Sequence, residues 1–243
     1  MSSFNNGLEH GLAMPTISPQ YPPPPVEYKE ASLVVGISSG DYSAQVIPDG
    51  FQPIPGGFWV VLFADYPQST IGPYKEMVVL ISVTFRDVVG LYCPLIYVTS
   101  DVALCQGREV WGFPKKLAQI EVTSTTTGEV LCSLERHGKP LCKISGIVDQ
   151  PGDPSLASAI GSMPIFNRKY IPGPSRENVD LDYVTSAYMS ASPDLIYSGA
   201  GELVTYGEVA HVLEGSLKLQ LVKMSANCIL SEGQKVLLDN QRP

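Results

Sequence analysis

Three apolar runs, Phe58-Trp59-Val60-Val61-Leu62-Phe63, Met77-Val78-Val79-Leu80-Ile81 and Leu95-Ile96-Tyr97-Val98, set the tightest limit on how this chain can fold. Each is rich in β-branched or aromatic residues and too short for an ordinary helix, so each reads as a strand buried on both faces. Leu33-Val34-Val35-Gly36-Ile37 joins them. Other segments alternate: Ile120 and Val122 share a face, as do Val130, Cys132 and Leu134, and Leu217, Leu219 and Leu221. That period of two marks strands with one wet side. Helix signals are few. The best is residues 153–160, with an Asp153 cap, Pro154 in the first turn, and Leu156, Ala159 and Ile160 on one face. A second spans Tyr42 to Val46 and stops at Pro48. The 22 glycines and 21 prolines suit many strands joined by turns. The expected fold is mainly β, an antiparallel barrel or double sheet with one or two short helices.

Residues 1–25 are polar and then proline-rich, ending in Pro22-Pro23-Pro24-Pro25. They read as an extended arm laid across the body or a neighbouring subunit, ahead of a single β domain over residues 26–243. Charged residues make up only 16% of the chain, which favours further burial in a homo-oligomer. The net charge of −8 argues against a nucleic-acid partner, since phosphate binding needs a basic surface. Any positive field must therefore be local. The five cysteines form no CxxC and are expected as free thiols in a reducing compartment, with Cys93 and Cys105 as small core residues. His10, His137 and His211 lack metal-ligand spacing, so no metal site is expected. Met1 to Leu12 lacks an apolar segment, and no run is long enough to span a bilayer. The expectation is a soluble cytoplasmic protein without a membrane partner.

Chemistry concentrates in Gly107-Arg108-Glu109-Val110-Trp111-Gly112-Phe113-Pro114-Lys115-Lys116-Leu117. An isolated Pro-Lys-Lys is by default a solvated turn. A lysine held away from water, however, loses its proton more readily, and its neutral amine attacks carbonyls. At an ordinary pKa of about 10.4, only about one lysine in 2,500 is neutral at pH 7. Two causes could raise that fraction for Lys115: desolvation by Val110, Trp111 and Phe113, and repulsion from Lys116. Neighbours on a strand leave on opposite faces, so desolvation is expected to be the larger.

This run closely resembles the active-site segment of the acetoacetate decarboxylase family. The similarity extends to Met14-Pro15-Thr16 through Tyr21-Pro22, to Val46-Ile47-Pro48, to Gly72-Pro73-Tyr74-Lys75-Glu76, and to residues 153–160 with Ile171-Pro172, covering roughly residues 14–172. The resemblance implies that Lys115 forms a Schiff base with a β-keto acid, that Lys116 is its cationic neighbour, and that Glu76 is the active-site acid that positions the imine. A surface salt bridge is the alternative for Glu76. Arg108 and Glu109 match too and read as structural, at a turn beginning with Gly107. Phe113 is expected to line the pocket; Tyr97 either lines it or sits in the core. Two positions depart from the family. Lys29 stands where an arginine would hold the substrate carboxylate, and Val61 where a second acid would stand. The implied activity is decarboxylation of a β-keto acid, acetoacetate or something larger and more apolar, with no cofactor. Two alternatives remain: an imine-forming aldolase, dehydratase or cyclase, and a non-catalytic barrel that binds small molecules. No Gly-x-Ser-x-Gly segment suggests a hydrolase.

Overall fold

The computed structural model describes residues 20–40, 42–175, 178–213 and 216–236. Most of the proposed arm lies outside them. The first part of the chain supplies β1 (Val26–Ser39), β2 (Phe51–Pro53), β3 (Phe58–Tyr66), β4 (Gln68–Ser69), β5 (Tyr74–Phe85) and β6 (Val88–Val98). Helix α1 (Asp101–Gln106) then leads to β7 (Lys115–Leu117), β8 (Gln119–Ser124), β9 (Glu129–Arg136) and β10 (Lys139–Pro151). The remainder is α2 (Pro154–Gly161), β11 (Ile165–Pro172), β12 (Val179–Ala187), β13 (Met189–Thr205), α3 (Gly207–Val212), β14 (Ser216–Leu230) and β15 (Gln234–Val236).

All strands belong to one sheet, in the order β15-β12-β11-β6-β5-β3-β1-β14-β13-β10-β9-β8, with β2, β4 and β7 attached at its sides. Pairing is antiparallel except where β6 meets β7 and β11. The expected mainly β, largely antiparallel architecture is what the chain adopts.

The continuous apolar runs have the anticipated cause. Successive residues of β5 enter different cores: Met77, Val79 and Ile81 on one side, Val78 and Leu80 on the other. Strand β3, the middle of β1 and the end of β6 are buried this way on both faces, as β5 is. The alternating segments differ because they cover one core only. On β9, Val130, Cys132 and Leu134 face inward while Leu131 and Glu135 are exposed. The second core is where α2 lies, packed over β13.

Helix α2 starts where expected, the Asp153 carboxylate accepting from the Ser155 N–H at 2.8 Å. Its inward stripe is Leu156, Ala157 and Ile160; Ala159 is exposed, because Ala157 follows Leu156 around the same side of so short a helix. The second helix signal is a single 3-10 turn, Ala44–Val46. All five cysteines are free, four of them buried.

Candidate active site

Lys115 owes its position to an unusual lead-in. Ser100 caps α1 by accepting the Ala103 N–H at 3.3 Å. The chain then continues through Gly107–Trp111 as a π-turn and stops at Gly112, whose φ of 72° lies in the left-handed region that favours glycine. The Phe113 N–H returns to the Gly107 carbonyl at 3.0 Å, and Phe113-Pro114 hands Lys115 to β7 beside Ile96. Gly107 is helical, not the start of a turn. It matters because a Cβ there would come within 2.5 Å of Lys115 Cδ and Cε. The lysine stem lies over that glycine.

The segment is clasped from behind. The Tyr21 hydroxyl donates to Glu109 Oε2 at 2.5 Å, and Gln106 Nε2 donates to the Pro22 carbonyl at 2.9 Å. Lys169 Nζ donates to the Glu109 carbonyl and Thr185 Oγ1 to the Trp111 carbonyl. Trp111 Nε1 donates to the Ser231 carbonyl at 3.1 Å, and Arg108 Nη1 to the Lys115 carbonyl at 3.4 Å. Arg108 and Glu109 are structural in this sense.

Lys115 is only 6% exposed, and Nζ donates to Glu76 Oε2 at 2.9 Å. Glu76 reaches it from β5, opposite Val98 of the intervening strand. It does not pair with Lys75, which faces the other way and bonds Glu121 at 3.0 Å. Phe113 and Tyr74 flank the amine, their ring centroids 5.8 and 5.6 Å from Nζ. Tyr28, Tyr66 and Tyr74 pack together beside Glu76, and the Tyr74 hydroxyl donates to that of Tyr28 at 3.1 Å. Burial, reinforced by the Glu76 carboxylate, pushes all three phenols well above their ordinary range. Burial and the same carboxylate push the nearby Cys93 thiol up too. The phenols therefore serve as neutral walls at any physiological pH.

These groups form one end of a cavity that encloses, with its mouth, about 990 Å³ of unfilled space. Among the described residues, Lys115 and Glu76 are its sole ionisable lining groups besides the Tyr28 phenol; the rest of the described wall is apolar. Among the described residues, no cluster of His, Cys, Asp or Glu could hold a metal ion, and no helix is long and apolar enough to cross a membrane.

The structure brings Lys115, Glu76 and Phe113 together and separates the other expected site residues from them. Lys116 leaves β7 on the opposite face, pairs with Glu208 and sits 5.7 Å from the Tyr97 ring centroid. It adds no like charge beside Lys115. Tyr97 belongs to the other core. Lys29 is exposed, because the inward position on β1 is Tyr28. Val61 also faces the other core; Val60 and Leu62 are the cavity positions on β3, and both are apolar. Tyr28 and Tyr74 went unrecognised although a signal was present. Tyr74 stands two residues before Glu76, on the same face of a strand, and Tyr28 adjoins the position assigned to carboxylate binding.

The acetoacetate decarboxylase family profile, described as "Acetoacetate decarboxylase (ADC)", matches residues 13–229, well past residue 172 where similarity was expected to fade. β13 and β14 lie in that later stretch and complete the cavity wall. Acetoacetate decarboxylase 3 of Mesorhizobium japonicum is 29% identical over 170 residues, covering 68% of this chain and 65% of the relative. The match thus spans just under two thirds of that protein's length. Among solved structures, acetoacetate decarboxylase from Legionella pneumophila superposes with a TM-score of 0.81 at 18% identity, covering 97% of both chains. The enduracididine biosynthesis enzyme MppR, complexed with the condensation product of pyruvate and imidazole 4-carboxaldehyde, gives 0.73 at 17% identity, covering 90% of this chain and 92% of the other.

Proposed function

The chain belongs to the acetoacetate decarboxylase family, and on that premise we propose that it is a lysine-imine carbon–carbon lyase that decarboxylates a β-keto acid. The observation that carries this reading is the buried Lys115–Glu76 pair at the end of an otherwise apolar cavity. A proton passes from Lys115 to Glu76 along their hydrogen bond. The free amine adds to the substrate ketone, and Glu76 returns the proton as water leaves, giving an iminium ion. The carboxylate-bearing carbon is one bond from the iminium carbon. When carbon dioxide departs, its bonding pair flows into the iminium and leaves a neutral enamine. Protonation at carbon and hydrolysis then release the ketone and regenerate Lys115. The net change is uptake of one proton per carbon dioxide released. An apolar wall favours the central step, because the carboxylate loses its charge there.

Borohydride added during turnover of acetoacetate tests the proposal. The expected result is a mass increase on the Lys115 peptide, together with carbon dioxide release in its absence, both lost in Lys115→Ala. Carbon dioxide release that survives Lys115→Ala, or no adduct with any β-keto acid, overturns it. A non-catalytic binding barrel corresponds to the second outcome.

One observation favours a second reading. Among the described residues, no second cation lines the cavity to hold a carboxylate. MppR, which shares the fold, is described with a condensation product bound. The same imine could serve aldol-type condensation or dehydration, for which trapped imine without carbon dioxide release is the signature.

A further inference from the structure

We propose that the cavity selects β-keto acids with a mid-length alkyl tail, the keto group at Lys115 and the tail lying across the sheet toward α2. The inference rests on the imine reading of Lys115 and adds the identity of the tail. Register carries it. Lys115 stands beside Ile96 of β6, Ile96 opposite Val78 of β5, Val78 opposite Leu62 of β3, Leu62 opposite Val35 of β1, and Val35 opposite Val222 of β14. Paired residues share a sheet face, and all of these line the same cavity. Beyond the amine, the row holds no polar side chain. At the usual strand spacing of about 4.8 Å, the path from Ile96 to Val222 crosses four gaps, roughly 19 Å. An extended carbon chain advances about 1.25 Å per bond, so a tail of roughly ten carbons covers about two thirds of that path. The adjacent row, Leu80, Val60 and Ile37, walls one side, and α2 covers the trough with Leu156, Ala157 and Ile160.

Charge narrows the choice further. The two ionised groups of the cavity lie at one end and satisfy each other. A substrate with a second charge along its tail would strand that charge in apolar surroundings without a partner. The half-buried lining residues Ile37, Leu62, Leu156, Ile160 and Met189 are also apolar, so they offer no seat for the phosphates of a carrier thioester. A thioester has no free carboxylate to lose in any case. The free acid with an alkyl tail is the chemistry that fits.

The test is a homologous series, acetoacetate, 3-oxohexanoate, 3-oxooctanoate and 3-oxodecanoate, with the full chain. Each methylene buried in the trough is worth roughly a fourfold gain, so kcat/KM is expected to climb by that factor per methylene across the series. Ala157→Phe narrows the trough below α2 and is expected to lower the ratio of kcat/KM for 3-oxodecanoate over acetoacetate at least tenfold. Borohydride trapping of each acid on Lys115 accompanies every rate. Trapping with a flat or falling series overturns the tail inference and leaves the decarboxylase reading standing. Absence of trapping with every acid overturns both. Should Ala157→Phe fail to fold, the wild-type series decides alone.

Discussion

A single missing side chain makes room for the proposed nucleophile. Gly107 is helical, so alanine would be tolerated by its backbone, yet a Cβ would meet the Lys115 stem at 2.5 Å. That stem is held at its tip by Glu76, so it cannot simply swing aside without breaking a buried ion pair. Gly107→Ala is therefore expected to lower the Tm and to lose at least tenfold in kcat/KM, with slower borohydride trapping at Lys115 in the folded protein. Unchanged trapping would show that the stem has slack. Glu76→Gln keeps the shape but not the carboxylate that takes and returns the proton, and a loss of roughly 10²–10⁴ in kcat is expected. The two positions differ in how visible they were. Glu76 and Lys115 could be recognised from their motifs, whereas Gly107 resembled any turn glycine until its contact with the lysine was known. Lys29 lies outside the cavity and Tyr97 in the other core for one reason: a strand sends neighbours to opposite faces, and only the register decides which face meets the cavity; Lys116 leaves on the face away from Lys115, as adjacent strand residues do.

The π-turn and its surroundings behave as one device that aims β7. Its last carbonyls are taken by groups far away in sequence, Glu109 by Lys169 on β11 and Trp111 by Thr185 on β12. Lys169 is almost wholly buried, and Gly112 packs directly against it. Burial pushes the Lys169 ammonium down to about 8, opposed by the Glu109 carboxylate and aided by Lys235. Below that pH the bond to the carbonyl is charge-assisted; above it the neutral amine donates more weakly. Lys169→Met keeps the volume and removes the donor. The expected outcome is a several-fold lower kcat, with the wild-type advantage over Lys169→Met shrinking as pH rises through about 8. A pH-independent ratio would reduce Lys169 to a packing role. None of this was legible beforehand, because Lys169 in Asn167-Arg168-Lys169-Tyr170 looks like an ordinary polar strand position. Its burial comes from strands β12 and β15, which are brought beside it by long-range pairing.

At the scale of the molecule, burial of the central strands on both faces was plain in their unbroken apolar runs, but their order was not. β1 lies beside β14 through pairs such as Val35–Val222, and no local pattern encodes such a distant neighbour. One consequence of that burial is measurable. Two dry cores trap protonated acids: desolvation holds Cys132 at about 12 and Cys228 at about 11, and pushes Cys93, Cys142, Tyr28, Tyr66 and Tyr74 upward as well. An unfolded chain releases a thiol proton near pH 8.5 and a phenol proton near pH 10. Below about pH 7.5 both states keep these protons, and the groups exert no slope. As pH rises further, the unfolded state sheds protons that the native state retains, so stability must fall through the folded values at about 11 and beyond. Lys169 works in the opposite sense between about 8 and 10, one base against several acids. The urea midpoint should therefore be level from pH 6.5 to 7.5 and drop steeply by pH 10.5. Cys228→Ala, which removes one of these acids, should make the drop shallower. A midpoint that holds steady to pH 10.5 would mean that water reaches these thiols and phenols, and the apolar cavity that the proposed chemistry depends on would lose its basis.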